Sequence, residues 1–324
     1  MAESEALAAF KAQLGCHNLA PLWDVLRTLV TREPQPSAQP VIWKHDIVRD
    51  QILRAGEVIS AEQAERRVLI LENPAFKGQA RATNSLFGGV QLILPGETAR
   101  SHRHTAAAIR FILEGEGAYT SVEGEKVPMR RGDFIITPSW LYHDHGNEGS
   151  GPVLWLDGLD MHFVNLLNAS FANEDPNIHS RPPNNPDDIP RLTFSYPYAQ
   201  ARARLKHLRQ EGQADPALGW KMSYLDPKTG KEPMNVMSAF LQLLPPGRSA
   251  PYRATDGAMM VVVEGEGVAG VGDERWNIEP NDIFVIPAWT WASFETRQDL
   301  VLFSLSDRAL QQHLGYWREE RRAP

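Results

Sequence analysis

Gly96-Glu97-Thr98-Ala99-Arg100-Ser101-His102-Arg103-His104, then Gly132-Asp133-Phe134-Ile135-Ile136-Thr137-Pro138-Ser139-Trp140, then His143-Asp144-His145-Gly146-Asn147, is the stretch that decides the fold. It opens at the turn Pro95-Gly96, and His102 and His104 stand two apart in a run that otherwise reads as strand. Side chains two apart on a strand share a face, so both imidazoles can reach one metal. A second strand-like run, Asp133 to Thr137, follows the turn Arg131-Gly132 and stops at Pro138, with His143 shortly beyond. Imidazole is a ligand for zinc, copper and iron alike. His102, His104 and His143 are therefore candidate metal ligands.

Working outward, residues 65 to 159 consist of short apolar runs broken by Gly and Pro: Val68 to Leu71, Val90 to Leu94, Ile109 to Leu113. Turn signals arrive roughly every 8–12 residues, the spacing of a β-sandwich or barrel. The same text returns later. Leu94-Pro95-Gly96 recurs as Pro245-Pro246-Gly247, Leu113-Glu114-Gly115-Glu116-Gly117 as Val263-Glu264-Gly265-Glu266-Gly267, and Pro138-Ser139-Trp140 as Pro287-Ala288-Trp289, at offsets of 149–151. A repeat of this length defines the fold as two copies of one β unit. In the second copy Tyr252 stands for His102, Ala254 for His104 and Ala292 for His143. The scaffold does not need histidine at those positions, so the first copy's histidines call for a chemical explanation.

Composition bounds the rest. With 324 residues, 42% of them hydrophobic and 9% aromatic, the chain can bury a sizeable core. The net charge of −7 is scattered and leaves no clustered basic face for nucleic acid. The basic end, Arg318 to Arg322, is broken by Glu319 and Glu320 and reads as a solvated helix terminus. One cysteine, Cys16, excludes an intrachain disulfide framework and fits a reducing compartment. The acidic N-terminus lacks a signal pattern, and no apolar run approaches the ~20 residues of a membrane span. The expectation is a soluble cytoplasmic protein with no nucleic-acid or membrane partner.

Along the chain, residues 4–14 and 20–31 read as two helices, and Pro34 to Pro40 as a connector. Residues 1–62 form an N-terminal arm and connector that packs on a neighbouring domain or subunit, 63–170 the first β unit, 171–235 a linker, 236–305 the second β unit and 306–324 a C-terminal helix. Within the linker, 173–197 is Pro- and Asn-rich and 198–210 reads as a basic helix. Ser306 or Asp307 is the expected cap of the last helix.

Gly96-x5-His102-x-His104 with Gly132-x5-Pro138-x-Trp140-x2-His143-x3-Asn147 resembles the paired cupin motifs, and the duplication makes a bicupin: all-β, two jelly-roll barrels. Longer phrases narrow the resemblance. His102-Arg103-His104-Thr105, Arg110-Phe111, Thr137-Pro138-Ser139-Trp140, His143 to Asn147 and Trp155-Leu156-Asp157-Gly158-Leu159-Asp160 resemble the gentisate 1,2-dioxygenase family, which includes salicylate and 1-hydroxy-2-naphthoate dioxygenases. The resemblance implies one Fe(II) held by His102, His104 and His143. It also implies O2-dependent cleavage of an ortho-hydroxybenzoate between the carboxyl-bearing and hydroxyl-bearing carbons, gentisate to maleylpyruvate foremost. A homotetramer goes with it.

Many cupins place a glutamate after the H-x-H with three or four residues in between, where this chain has Ala108 and Ile109. Three neutral imidazoles leave the metal its full charge and open positions, which favours a chelating, anionic substrate. Arg110 lies in an apolar run, and its strand parity with His102 and His104 points it into the barrel. A buried guanidinium needs an anion, and its fork suits a carboxylate. It either anchors the substrate carboxylate or pairs with Asp157; in the repeat its place is taken by Met260. His145 is either a substrate hydrogen-bond or acid-base group or a residue orienting the loop. Gln91 is a mid-strand polar residue that must find a partner, and Gly89 of the same parity leaves room for the aromatic ring. Arg66 either reaches the pocket or is a solvated charge at a strand start. Asp157 orients a pocket Arg or His, and Asn147 holds its loop. The family pattern has a polar residue such as Gln at Ala106; with Ala108 it makes a roomier wall that also suits salicylate, a 5-substituted salicylate or a hydroxynaphthoate. His17, His45, His162, His179, His207 and His313 have no partner spacing.

Two other classes compete. A sugar isomerase or epimerase cupin would need a fourth ligand or a Lys/Glu acid-base pair. A non-catalytic ligand-binding bicupin would not need His102, His104, His143 and Arg110 together.

Overall fold

The computed structural model describes residues 4–174 and 195–323. The chain divides into two units, Met1–Gln35 and Pro36–Pro324. The first holds the two expected helices, Glu5–Gly15 and Leu22–Leu29. Ser4 caps the first, accepting the Leu7 amide at 3.3 Å, and Lys11 pairs with Asp24 of the second at 2.7 Å.

The second unit is an all-β bicupin. In the first barrel, Phe87–Ile93 and Ala108–Glu114 flank Val153–Leu159 in one sheet, while Thr98–His104 and Glu116–Val122 flank His143–Asn147 in the other. The second barrel repeats this arrangement. Ser238–Leu244 and Ala258–Glu264 flank Leu300–Ser306, and Tyr252–Ala254 and Gly267–Val271 flank Ala292–Thr296. The repeat extends to backbone detail. Trp140 and Trp289 both adopt positive φ, and each donates its amide to a carbonyl at the end of the histidine-position strand, His104 at 2.9 Å and Ala254 at 2.6 Å. Arg103 stacks on Trp140 and Tyr142, as Arg253 does on Trp289 and Trp291.

The barrels join sheet to sheet. On the strand Ala108–Glu114, Ile109, Phe111 and Leu113 alternate with Ala108, Arg110 and Ile112, and every one of them is buried. The first set faces the second barrel, where Phe111 stacks on Phe303 with ring centroids 4.1 Å apart. Gly88 and Gly158 lie on the same face, and a Cβ at either would overlap Met259 or Leu305. The other set faces the first barrel's interior. Fully burying a side chain such as Phe111 or Phe303 contributes about 1.5–3 kcal/mol, so the seam is a main part of the core.

Flanking segments depart from the sequence reading. Residues 41–58 are not plain connector: Val41–Trp43 is a strand on Ile283–Val285 of the second barrel, and His45–Val58 is a helix with Ile52 buried. Ala172–Glu174 pairs with His102–His104, Ser195–Tyr196 with Phe134 and Ile135, and Trp220–Ser223 with Phe240–Leu243. The basic helix is Tyr198–Glu211. The last helix is only Arg308–His313, with Asp307 as N-cap and no side-chain cap hydrogen bond. The end read as a helix terminus is instead a strand, Glu319–Arg321, paired with Tyr252–Ala254. Cross-strand contacts hold it there, Tyr252 to Glu319 at 3.2 Å and Arg253 to Glu320 at 2.8 Å. Most of the Pro- and Asn-rich linker, with His179, lies outside the described residues. Among the described residues no helix is long and apolar enough to cross a membrane.

Candidate metal centre

Strand pairing sets His102 directly opposite His143. The register between Thr98–His104 and His143–Asn147 shifts between Ala99 and His102, the signature of a bulge, which bends a strand and re-aims its side chains. Beyond it His102 and His104 share a face, and the Trp140 amide, donated to the His104 carbonyl at 2.9 Å, ties down the loop that leads to His143. The ring centroids lie 4.0–5.4 Å apart, and the three ligand nitrogens fall within 4.8 Å of one another.

The hydrogen bonds behind these rings fix their tautomers. Nδ1 of His102 meets the Arg100 carbonyl at 3.1 Å, Nδ1 of His104 the Ala106 carbonyl at 2.7 Å, and Nδ1 of His143 the Leu141 carbonyl at 3.1 Å. A carbonyl only accepts, so each Nδ1 carries the proton and each Nε2 keeps its lone pair. Burial pushes all three imidazoles below their ordinary pKa, His102 to about 3, with the charge of Arg66 or Arg110 adding to it. Three neutral rings with free Nε2 atoms fit a bound transition metal. Among the described residues this is the only such cluster.

Behind the triad lies a charged layer. Arg110 is buried, yet it reaches three partners: Thr137 Oγ1 at 2.6 Å, His145 Nε2 at 3.2 Å and Asp157 at 3.6 Å. Its inward aim is as read, but the reason differs. Thr105 to Ala107 turn the chain into the opposite sheet, so parity does not carry across from His104; pairing with Ile135 and Asp157 sets the orientation instead. A guanidinium only donates, so His145 accepts through Nε2 and carries its proton on Nδ1, which is buried without a partner. Burial, then Arg110, holds His145 well below the usual histidine pKa. Burial raises Asp157 to about 6 against the pull of Arg110, and Trp155 donates to it at 3.0 Å.

Arg66 is part of this layer and not a solvated charge. Its Nε is buried without a partner, Asp157 is its foremost counter-charge, and its own charge depresses His102. Two guanidiniums thus share Asp157 beside three neutral imidazoles, with Glu65 and Glu174 adding to the counter-charge on Arg66. Gln91 is buried opposite Trp155 on the same interior face. Gly89 lies opposite Asp157, but the space over it is taken by Val68 and Phe87, so it does not leave an opening for a ring. Ala108 shares the Arg110 face, whereas Ala106 acts through its carbonyl on His104. Asn147 holds its loop, donating to the Ile93 and Gly151 carbonyls and accepting from Gly149. Thr137 and Trp155 were not singled out from sequence as site residues; only their places in the quoted phrases marked them.

Fold and site together define a bicupin with a single three-histidine metal centre in its first barrel. The cupin domain model matches residues 89–159. The chain is 43% identical to gentisate 1,2 dioxygenase 1 of Aquipseudomonas alcaligenes, covering 96% of this chain and 95% of the relative. It is 36% identical to a Streptomyces gentisate 1,2-dioxygenase, covering 94% and 92%. Its fold matches salicylate 1,2-dioxygenase of Pseudoaminobacter salicylatoxidans, solved as adducts with gentisate, with a TM-score of 0.90 at 29% identity over 100% of this chain and 96% of that one. The chain belongs to the gentisate 1,2-dioxygenase family.

Proposed function

We propose that the protein is an Fe(II)-dependent dioxygenase that cleaves an ortho-hydroxybenzoate between its carboxyl- and hydroxyl-bearing carbons, gentisate foremost. The observation that carries this is the contrast between two barrels of one register, of which only the first holds three neutral imidazoles backed by Arg110 and Arg66. His102, His104 and His143 would hold the iron through Nε2. Bound there, Fe(II) would supply the Lewis acidity and the O2 chemistry that ring cleavage needs.

The remaining work falls to side chains of this chain. Arg110, buried beside the imidazoles and only 3.6 Å from Asp157, offers its fork to the substrate carboxylate, with the charge of Arg66 nearby. Asp157 and Thr137 fix the plane of the Arg110 fork. The Nδ1–H of the neutral His145 is a buried donor without a partner, placed to bond a substrate oxygen. Gln91, Trp155 and Ala108 line the wall beyond. The small Ala108 leaves salicylate, 5-substituted salicylates and 1-hydroxy-2-naphthoate as the runner-up substrates, since pocket differences of this kind separate substrates by only ~1–3 kcal/mol. A homotetramer and a cytoplasmic location complete the reading, supported by the family resemblance and the single cysteine, Cys16.

The test is anaerobic Fe(II) reconstitution followed by O2 uptake with each of these acids. Fastest uptake with gentisate supports the reading; preference for another of the acids moves the substrate within the same class. Bound iron with no uptake from any acid overturns it.

A further inference from the structure

The second barrel lacks metal ligands, yet its interior is not filled in. It holds a small, partly open cavity of about 60 Å³. Strand register identifies the place. Tyr252 and Ala292 face each other as His102 and His143 do, Met260 pairs with Ser304 as Arg110 pairs with Asp157, and all four line the cavity. It is the topological counterpart of the metal pocket, with a different set of groups built into it.

Those groups are cationic. Lys221 lines the cavity with its Nζ 4.2 Å from the Phe240 ring, and Arg308 lies over the same ring at 4.9 Å. Asp256 is the carboxylate within the cavity, and Arg308 takes it, with contacts at 3.1 and 3.3 Å. The Tyr252 hydroxyl is also engaged, accepting from Arg308 and donating to Glu319. Lys221 has no ion-pair partner among the described residues. Its direct strand neighbour, Gln242, is 2% exposed and its Nε2 has no acceptor. Lys221 is half-buried, with Asp256 and Glu319 favouring its charge from a distance, while the Gln242 amide beside it is buried and unmet; one acceptor placed between them would satisfy both. The opposite wall is apolar, formed by Met260, Ile286, Ala292 and Phe294.

We propose that the second barrel binds a small organic monocarboxylate of two or three carbons, its carboxylate held by Lys221 Nζ and Gln242 Nε2 and its carbon end set against Met260, Ala292 and Phe294. The apolar wall favours an organic acid over phosphate or chloride, and the small volume favours a short acid over an aromatic one. Burial first, then Arg308, lowers the Lys221 ammonium to about 7; a bound carboxylate offsets both.

The probes are acetate, propionate and inorganic phosphate, titrated calorimetrically into the iron-loaded full-length protein. One propionate site per chain is expected, tighter than phosphate. Lys221→Met and the near-isosteric Gln242→Leu each weaken it about ten-fold or more, leave ring cleavage unchanged, and Arg110→Leu leaves propionate binding unchanged. Phosphate binding as tightly as propionate overturns the carboxylate assignment. Binding that survives both second-barrel variants, or is lost in Arg110→Leu, places the acid in the first barrel and overturns the site. No heat with wild-type protein up to about 50 mM acid, a concentration that detects even millimolar affinity, does the same.

Discussion

Arg110→Met copies into the first barrel the residue that the second barrel already carries at that position, Met260, so the scaffold accommodates it. The change removes the guanidinium from Asp157 at 3.6 Å, from Thr137 at 2.6 Å and from His145 at 3.2 Å. Removing one partner of a buried ion pair costs about 3–5 kcal/mol when the survivor stays charged. Asp157 already sits at about 6, so protonating it at pH 7 costs only about 1.4 kcal/mol per pH unit. That relief caps the loss of stability at roughly 2 kcal/mol. Asp157→Asn on top of Arg110→Met should recover only part of it, because Arg66 then loses its foremost counter-charge. Catalysis responds differently. A charge-assisted hydrogen bond to the substrate carboxylate is worth about 1.5–3 kcal/mol, so kcat/KM should fall about ten- to a hundred-fold, while iron content stays at one per chain. The assay pairs metal analysis with O2-electrode kinetics on the single and double variants. A double variant that regains stability and kcat/KM together would mean that Arg110 is structural only. Loss of iron along with activity would move Arg110 into metal binding; either outcome refutes the reasoning.

Other outcomes follow from the same geometry. His104→Ala should lose the metal and with it any stabilisation by added Fe(II), read as a Tm that no longer responds to iron or chelator; retained iron and activity would remove His104 from the ligand set. His145→Phe, matching Phe294 of the second barrel, should keep iron and lower kcat/KM about ten-fold through the lost Nδ1–H donor, and unchanged kinetics would retire that role. For Lys221, the folded-state pKa is lowered from 10.5 to about 7. Between those values the unfolded chain holds a proton that the folded chain has released, so stability rises with pH there. Asp256 and Glu319 oppose the shift while Arg308 and Arg321 favour it. Wild-type Tm should therefore gain on Lys221→Met as pH rises from about 7 to about 10; a constant difference would show an ordinary lysine pKa.

Much of the architecture was legible because the chain is written twice. The recurrence of Glu-Gly-Glu-Gly and Pro-x-Trp located the strands, and Tyr252, Ala254 and Ala292 showed which residues the scaffold does not need. What stayed hidden depends on partners far away in sequence. Val41–Trp43 is three residues long and is a strand only because Ile283–Val285 offers an edge. Glu319–Arg321 is wholly charged, so no alternation marks it; cross-strand pairs with Tyr252 and Arg253 make it a strand. The bulge before His102 and the turn after His104 re-aim side chains in ways that strand parity does not express, which is why Arg110 was placed correctly by a route the structure does not follow. Gly89 read as an opening because the sequence does not reveal that Val68, from the neighbouring strand, and Phe87 fill the space above it. Lys221 and Gln242 carried no motif, and only their pairing across two strands brings them together.

The central claim is that the first barrel, loaded with Fe(II), inserts O2 into an ortho-hydroxybenzoate. The most direct measurement is single-turnover reaction of the iron-loaded protein with gentisate under isotopically heavy O2, followed by mass analysis of the product. The account predicts a ring-opened keto diacid that carries both heavy oxygen atoms. A product with one heavy atom or none, or intact gentisate over bound iron, would contradict it.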